Sequence, residues 1–374
     1  MIASRLSSFG TTIFTEMSAL AERTGAINLG QGFPDEDGPA AVLEAAQAAI
    51  RDGRNQYAPL PGVPALREAI REHQRRFYGI EVEDVQVTMG ATEAITAAIL
   101  GLCEPEDEVL AFDPTYDSYS AAARMTGAHL VPVPLHPPEW AFDPDELRGA
   151  ITSRTRAILV NTPHNPTGRV LTRAELQVIA DVCAEHDLIA ITDEVYEHLV
   201  FDGLEHVPLC TLPGMAGRTL TISSLGKTFS VTGWKVGWAT GPAPLVAAVR
   251  AAKQFLTFAG ATPFQHAGAA ALRLDDAWYA AFSAELQSKR DHLCAGLEAA
   301  GLRVARPQGT YFANADVGTD AVEYARELPA RAGVVAIPTA VFSTRKAELA
   351  PYLRFAFCKR PAVIDRAAAQ LARS

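Results

Sequence analysis

The sequence predicts an α/β fold: a large domain on a mostly parallel seven-stranded sheet, followed by a smaller α+β domain. Three observations predict it. Short β-like runs alternate with helical stretches through the middle of the 374-residue chain, the pattern of strands joined by crossover helices. Several of those runs, AILVN and LIAIT among them, are almost wholly apolar, as strands covered on both faces should be. After about residue 270 the alternation stops and a long helical pattern leads into shorter β-like pieces.

Taken in order, residues 1–35 form an N-terminal arm expected to pack with the small domain. The opening MIASRLSSFG lacks the basic-then-apolar pattern of a secretory leader. The large domain is expected over residues 36–270. Its strands are Val85–Met89, Glu108–Phe112, His129–Val133, Ala157–Asn161, Leu188–Thr192, Thr219–Ser223 and Val236–Thr240. Helical patterns lie between them, for example Thr92–Leu102, Arg173–His186 and Leu245–Phe255. The small domain, residues 271–374, opens on the helical pattern Ala277–Ala300, continues through RVARP, GTYFANA, VVAIP and YLRFAFC, and closes on a helix.

The composition is that of a globular cytoplasmic protein, 48% hydrophobic and 20% charged, with no apolar stretch of membrane-spanning length. A formal net charge of −10 argues against a nucleic-acid surface. It leaves room for a small anion, which a few local donors can hold. The cysteines Cys103, Cys183, Cys210, Cys294 and Cys358 are scattered without metal-ligand or redox spacing. They are expected to be buried, reduced thiols, and no metal is expected.

Polar groups gather just past the carboxyl ends of the proposed strands. Asn165 lies in NTPHNPTG after AILVN, Asp193 and Tyr196 in DEVY after LIAIT, and Lys227 in SSLGK after TLTIS. Ligands of doubly wound sheets sit in that crevice. Gly90, Ala91 and Thr92 follow VQVTM and open a helix, whose free N–H groups and dipole suit a phosphate. Each piece alone has an ordinary reading: a helix cap, a turn, a solvated lysine. Gly30-Gln31-Gly32 lacks the third glycine of a dinucleotide fingerprint.

Together the segments LGQGFPD, NQYAPLPG, GATEA, DPTYDSY, NPTG, DEVY, SSLGKTFSVTGWKVGW and LRFAF resemble the fold-type-I, class I aminotransferases. The resemblance runs from about Gly30 to Phe357. It is nearest to the kynurenine/glutamine/methionine aminotransferases and their N-succinyldiaminopimelate aminotransferase relatives. It implies a pyridoxal 5′-phosphate (PLP) enzyme that shuttles an amino group by a ping-pong route.

In that resemblance Lys227 is the Schiff-base lysine and proton shuttle. Asp193 pairs with the pyridine nitrogen, and Tyr196 and Asn165 hold the phenolate oxygen. The phosphate falls to the backbone of Gly90, Ala91 and Thr92, to Ser224 and to Lys235, where many relatives carry arginine. Tyr116 stacks on the ring, and Tyr57 reaches the phosphate from a neighbouring subunit, which implies a homodimer with shared sites. Arg354 clamps the substrate carboxylate bidentately, with the backbone at Gly32 completing the grip.

Phe14, and Phe258 from the partner, line the side-chain pocket in the resemblance; ordinary core packing is the other reading of both. Ala259 and Thr92 replace the bulkier residues of kynurenine specialists, which opens the pocket towards a longer or polar substrate such as N-succinyl-LL-2,6-diaminopimelate. Its distal carboxylates would want a cation; Arg23, Arg345 and Lys346 are available. FLTFAGATPFQ lacks the arginine that a strict aspartate aminotransferase keeps there. A C–S β-lyase on the same scaffold is the alternative activity. A non-catalytic aminotransferase-like sensing domain is a further reading, disfavoured because no basic helix-turn-helix precedes LGQGFPD.

Overall fold

The computed structural model describes residues 3–7 and 13–373; residues 1–2 and 8–12 of the proposed N-terminal arm lie outside them. The central sheet has seven strands: β1 (Asp84–Thr88), β2 (Glu108–Asp113), β3 (His129–Pro134), β4 (Thr155–Asn161), β5 (Ile189–Asp193), β6 (Thr219–Ser224) and β7 (Gly237–Gly241). Their order is β1-β7-β6-β5-β4-β2-β3. Pairings from β6 across to β3 are parallel, whereas β7 runs antiparallel to both β6 and β1. The seven expected strands are all present, with ends displaced by one or two residues.

Alternate residues of each strand enter different cores, which explains the nearly unbroken apolar runs. Leu110, Ile158, Val160 and Ala190 face one side with helix Arg173–Glu185. Val109, Leu159, Ile191 and Ile222 face the other with helices Gly90–Leu102 and Ala243–Leu256. Local signals start the helices where they should. Thr172 and Glu175 close a capping box at Arg173–Glu185, a device worth about 1 kcal/mol. Asp275 caps Asp276–Ala299 through the N–H of Trp278.

The C-terminal part carries a four-stranded antiparallel sheet, Ile337–Pro338, Tyr352–Ala356, Phe312–Asp316 and Arg303–Ala305 in that order. Its core takes in Met17, Ala21 and Leu29 from the beginning of the chain together with Val195 and Tyr196. Ile27–Asn28 also pairs with Val334–Val335. No helix among the described residues is long and apolar enough to cross a membrane. The cysteines are free thiols; Cys183, Cys294 and Cys358 are buried, but Cys103, at the C-cap of helix Gly90–Leu102, and Cys210, in the 3-10 turn Leu209–Thr211, are only half-buried.

Candidate active site

Strand order decides where the polar groups meet. β4, β5 and β6 are neighbours, so the segments leaving their carboxyl ends are neighbours too. Those segments carry Asn165, Asp193 with Tyr196, and Lys227. The antiparallel return from β6 into β7 keeps Ser224, Lys227 and Lys235 in one short connection. A cavity of about 280 Å³ opens there. Lys227, Asp193, Tyr196 and Asn165 line it, as do Tyr116 and Gly32. Gly90, Ala91, Thr92, Ser224 and Lys235 line its anion end.

That end is a cradle only glycine permits. Gly237 lies so close to the helix start that a Cβ there would be 2.5 Å from the Gly90 carbonyl carbon and 2.7 Å from the Ala91 nitrogen. Gly90 itself has φ +75, a left-handed conformation, and stands against the Lys235 ammonium. Lys235 also takes a left-handed φ of 53, an unusual conformation for a side-chain-bearing residue. A helix N-terminus and a lysine thus converge on one spot, which fits a phosphate.

The rest of the cavity suits a pyridine ring. Asp193 is buried and accepts a 2.6 Å hydrogen bond from the Tyr119 hydroxyl. Burial pushes its carboxyl up to about 6, against the Tyr119 hydrogen bond and the nearby Lys227, which both pull it down. A buried carboxylate of that kind accepts a protonated ring nitrogen readily, because the cation offsets its desolvation. Asn161 braces the floor, donating to the Asp193 carbonyl at 2.8 Å and accepting from the Asn165 N–H at 2.8 Å. Tyr116 packs edge-on against Tyr119 and is hydrogen-bonded to Thr92. Burial lowers the Lys227 ammonium, which enlarges its free-amine fraction.

Arg354 stands one hydrogen bond behind the cavity wall. Its Nη1 donates to Asn165 Oδ1 at 3.0 Å and its Nη2 to the Gly30 carbonyl at 3.2 Å. The guanidinium lies between aromatic rings, 4.0 Å from the centroid of Phe312 and 4.5 Å from that of Phe342, with Phe14 at 5.6 Å. Burial lowers it to about 10, so it stays charged at neutral pH. Its Nε is buried without a partner. An enclosed cation with a spare donor is costly until an anion arrives, so this guanidinium can accept a carboxylate.

Phe14 and Phe342 pack together at 5.7 Å and border an outer cavity of about 790 Å³ that Lys346 also lines. Phe14 thus reaches the Arg354 guanidinium without lining the Lys227 cavity, and Arg345 is committed to Glu348. Tyr57 and Phe258 are not brought to this chain's cavity. They meet edge-to-face at 5.6 Å, with Tyr57 81% exposed.

Three site residues escaped the sequence reading. Tyr119 follows Tyr116 by three residues, the spacing that puts two side chains on one helix face, and DPTYDSY could have shown it. Asn161 ends the run AILVN and looked like a strand terminus. Tyr311, hydrogen-bonded to Tyr196 and donating to the Gly32 carbonyl at 2.7 Å, gave no local signal. Gly32 fits beneath the neighbouring ring because a Cβ there would be 2.4 Å from Phe312 Cζ.

The family model for aminotransferase class I and II matches residues 24–371. A probable N-succinyldiaminopimelate aminotransferase DapC of Mycobacterium tuberculosis is 52% identical over 99% of this chain and 98% of its own. A solved N-succinyldiaminopimelate aminotransferase structure from that organism superposes with a TM-score of 0.96, covering 100% of this chain and 99% of the other. The methionine aminotransferase of Escherichia coli is 41% identical over 98% of this chain and 97% of its own.

Proposed function

Because the chain belongs to the aminotransferase class I and II family, we propose that the cavity at Lys227 binds PLP and that N-succinyl-LL-2,6-diaminopimelate is the amino donor. The acceptor is a 2-oxo acid such as 2-oxoglutarate. The chain is a PLP-dependent aminotransferase; the substrate and the residue roles are our reading. One observation carries it: an amine and a buried acid line one cavity with an anion cradle, and an enclosed, incompletely paired guanidinium stands one hydrogen bond behind its wall.

When bound, the cofactor supplies an electron sink for the bond broken at the substrate Cα. Each residue then has one task. Gly90, Ala91 and Thr92 donate N–H groups to the phosphate, with Ser224 and Lys235 beside them. Asp193, held by Tyr119, keeps a proton on the pyridine nitrogen. Tyr196 and Asn165 hold the phenolate oxygen, and Tyr116 covers a face of the ring. Lys227 Nζ removes the proton at the substrate Cα and delivers it at the end of the half-reaction. Arg354 binds the α-carboxylate through its fork, already aimed by Asn165 and Gly30.

The succinyl substrate is favoured by the identity to the mycobacterial relative and by the room beyond Phe14 and Phe342. Lys346 supplies the distal cation there, while Arg345 is occupied by Glu348. Methionine- and glutamine-type donors remain secondary substrates of the apolar part. We also infer a cytoplasmic homodimer in which Tyr57 and Phe258 serve the partner's site; the two rings touch and are exposed, as are Phe255 and Leu256 just before Phe258 in the chain. The test is steady-state kinetics of Lys346→Ala. KM for the succinyl donor should rise roughly two- to fivefold and KM for methionine should not. An equal rise for both, or none, removes Lys346 from the assignment.

A further inference from the structure

Glu197 and His198 follow Tyr196 directly, yet the chemistry above uses neither. They meet His73, which comes from helix Pro64–Tyr78 far away in the sequence. The two Nε2 atoms of His73 and His198 stand 2.7 Å apart. One ligand atom from each of His73, Glu197 and His198 lies within 4.8 Å of the others. His73 and Glu197 are buried and His198 is half-buried. We propose that these three side chains bind a divalent transition ion of the zinc class, tying helix Pro64–Tyr78 to the turn that carries Tyr196.

Two imidazoles and a carboxylate are a regular donor set for such an ion. Bonds of about 2.0 Å in a tetrahedron separate ligand atoms by roughly 3.3 Å. The histidine pair would open slightly and Glu197 would close slightly, both within reach of side-chain rotation. Outer partners already orient the ligands. Ser223 donates to Glu197 Oε1 at 2.6 Å, and the Gln74 amide lies 3.4 Å from Glu197 Oε2 and 3.5 Å from His73 Nδ1. Phe77 and Tyr279 wall the rings in, at 4.8 Å from His73 and 4.4 Å from His198.

The charge state agrees. Burial lowers His73 to about 3 and His198 well below its ordinary value, so both present neutral lone pairs at pH 7. Burial also pushes Glu197 up to about 7. Hydrogen bonds from Ser223 and Tyr78 and the nearby His206 offset that burial only in part, and Glu194 adds to it; a cation would relieve the rest, which Arg76 does not do, since it spends its guanidinium on Asp276 and the Leu274 carbonyl. Sequence spacing could not reveal the site, because His73 and His198 stand 125 residues apart in the chain.

The experiment is calorimetric titration of Zn²⁺ into chelator-treated, cofactor-loaded protein, read without any assay of turnover. Wild type should take up one ion per chain, with affinity weakened roughly tenfold or more in His73→Gln and in His198→Gln. X-ray absorption of the zinc-loaded wild type should show imidazole scattering from two ligands, and decides the matter even if the variants do not fold. No stoichiometric uptake, variants that bind like wild type, or a spectrum without imidazole would overturn the site. The pair would then be only a buried histidine–histidine hydrogen bond.

Discussion

Asp193 shows how a residue can be costly to the fold and suited to the reaction. Burial raises its carboxyl to about 6 from the ordinary aspartate value near 4. Between those two pH values the folded, cofactor-free protein holds a proton that the unfolded chain has released. Its stability contribution is complete below about pH 4, declines as pH rises through about 6, and is gone above that. The loss amounts to about 2–3 kcal/mol. Asp193→Asn cannot ionise and escapes it. Denaturant unfolding of the cofactor-free proteins at pH 4 and pH 8 should therefore show the variant gaining on wild type at the higher pH. A difference that does not change with pH would mean Asp193 is not the desolvated group described here. In the proposed complex with PLP, a pyridinium beside Asp193 would reverse the balance by stabilising the carboxylate.

At the scale of elements, the site depends on two backbones approaching where β7 passes the start of helix Gly90–Leu102. Thr88 pairs with Gly237 across the β1–β7 ladder, so the chain turns into that helix directly beside β7. Gly237→Ala would drive a methyl into the backbone of Gly90 and Ala91. We expect a loss of about 1–3 kcal/mol in stability and at least a tenfold weaker PLP affinity by equilibrium dialysis. Unchanged affinity would show that the anion cradle lies elsewhere. The strands were legible because each is a short apolar run set between helical or turn-like stretches. The reversal of β7 was not, since periodicity carries no strand direction. Likewise Asn165, Asp193 and Lys227 could be placed at strand ends from sequence, whereas Tyr311 and the Asn165–Arg354 bond depend on tertiary approach alone. Resemblance supplied Arg354; physics alone would have left it a surface arginine.

For the whole molecule, the proposed homodimer with shared sites would make a quantitative demand. Lys227→Ala and Tyr57→Ala should each be defective at limiting PLP. If Tyr57 serves the partner's site, mixed dimers of the two variants regain one intact site each. Random reassembly should restore about a quarter of wild-type activity, because half the dimers are mixed and each has one good site. No recovery would place Tyr57 in its own chain's site or outside the chemistry. The central claim, amino-group transfer at Lys227, is tested most directly by spectral titration of the PLP-loaded protein with single donors and no acceptor. N-succinyl-LL-2,6-diaminopimelate, glutamate, glutamine, methionine and kynurenine are the donors to compare. The cofactor absorbance should convert to the pyridoxamine form with release of one 2-oxo acid per site, fastest with the succinyl donor. Persistence of the original absorbance, while cysteine conjugates yield pyruvate and ammonia, would contradict the claim and make the enzyme a β-lyase.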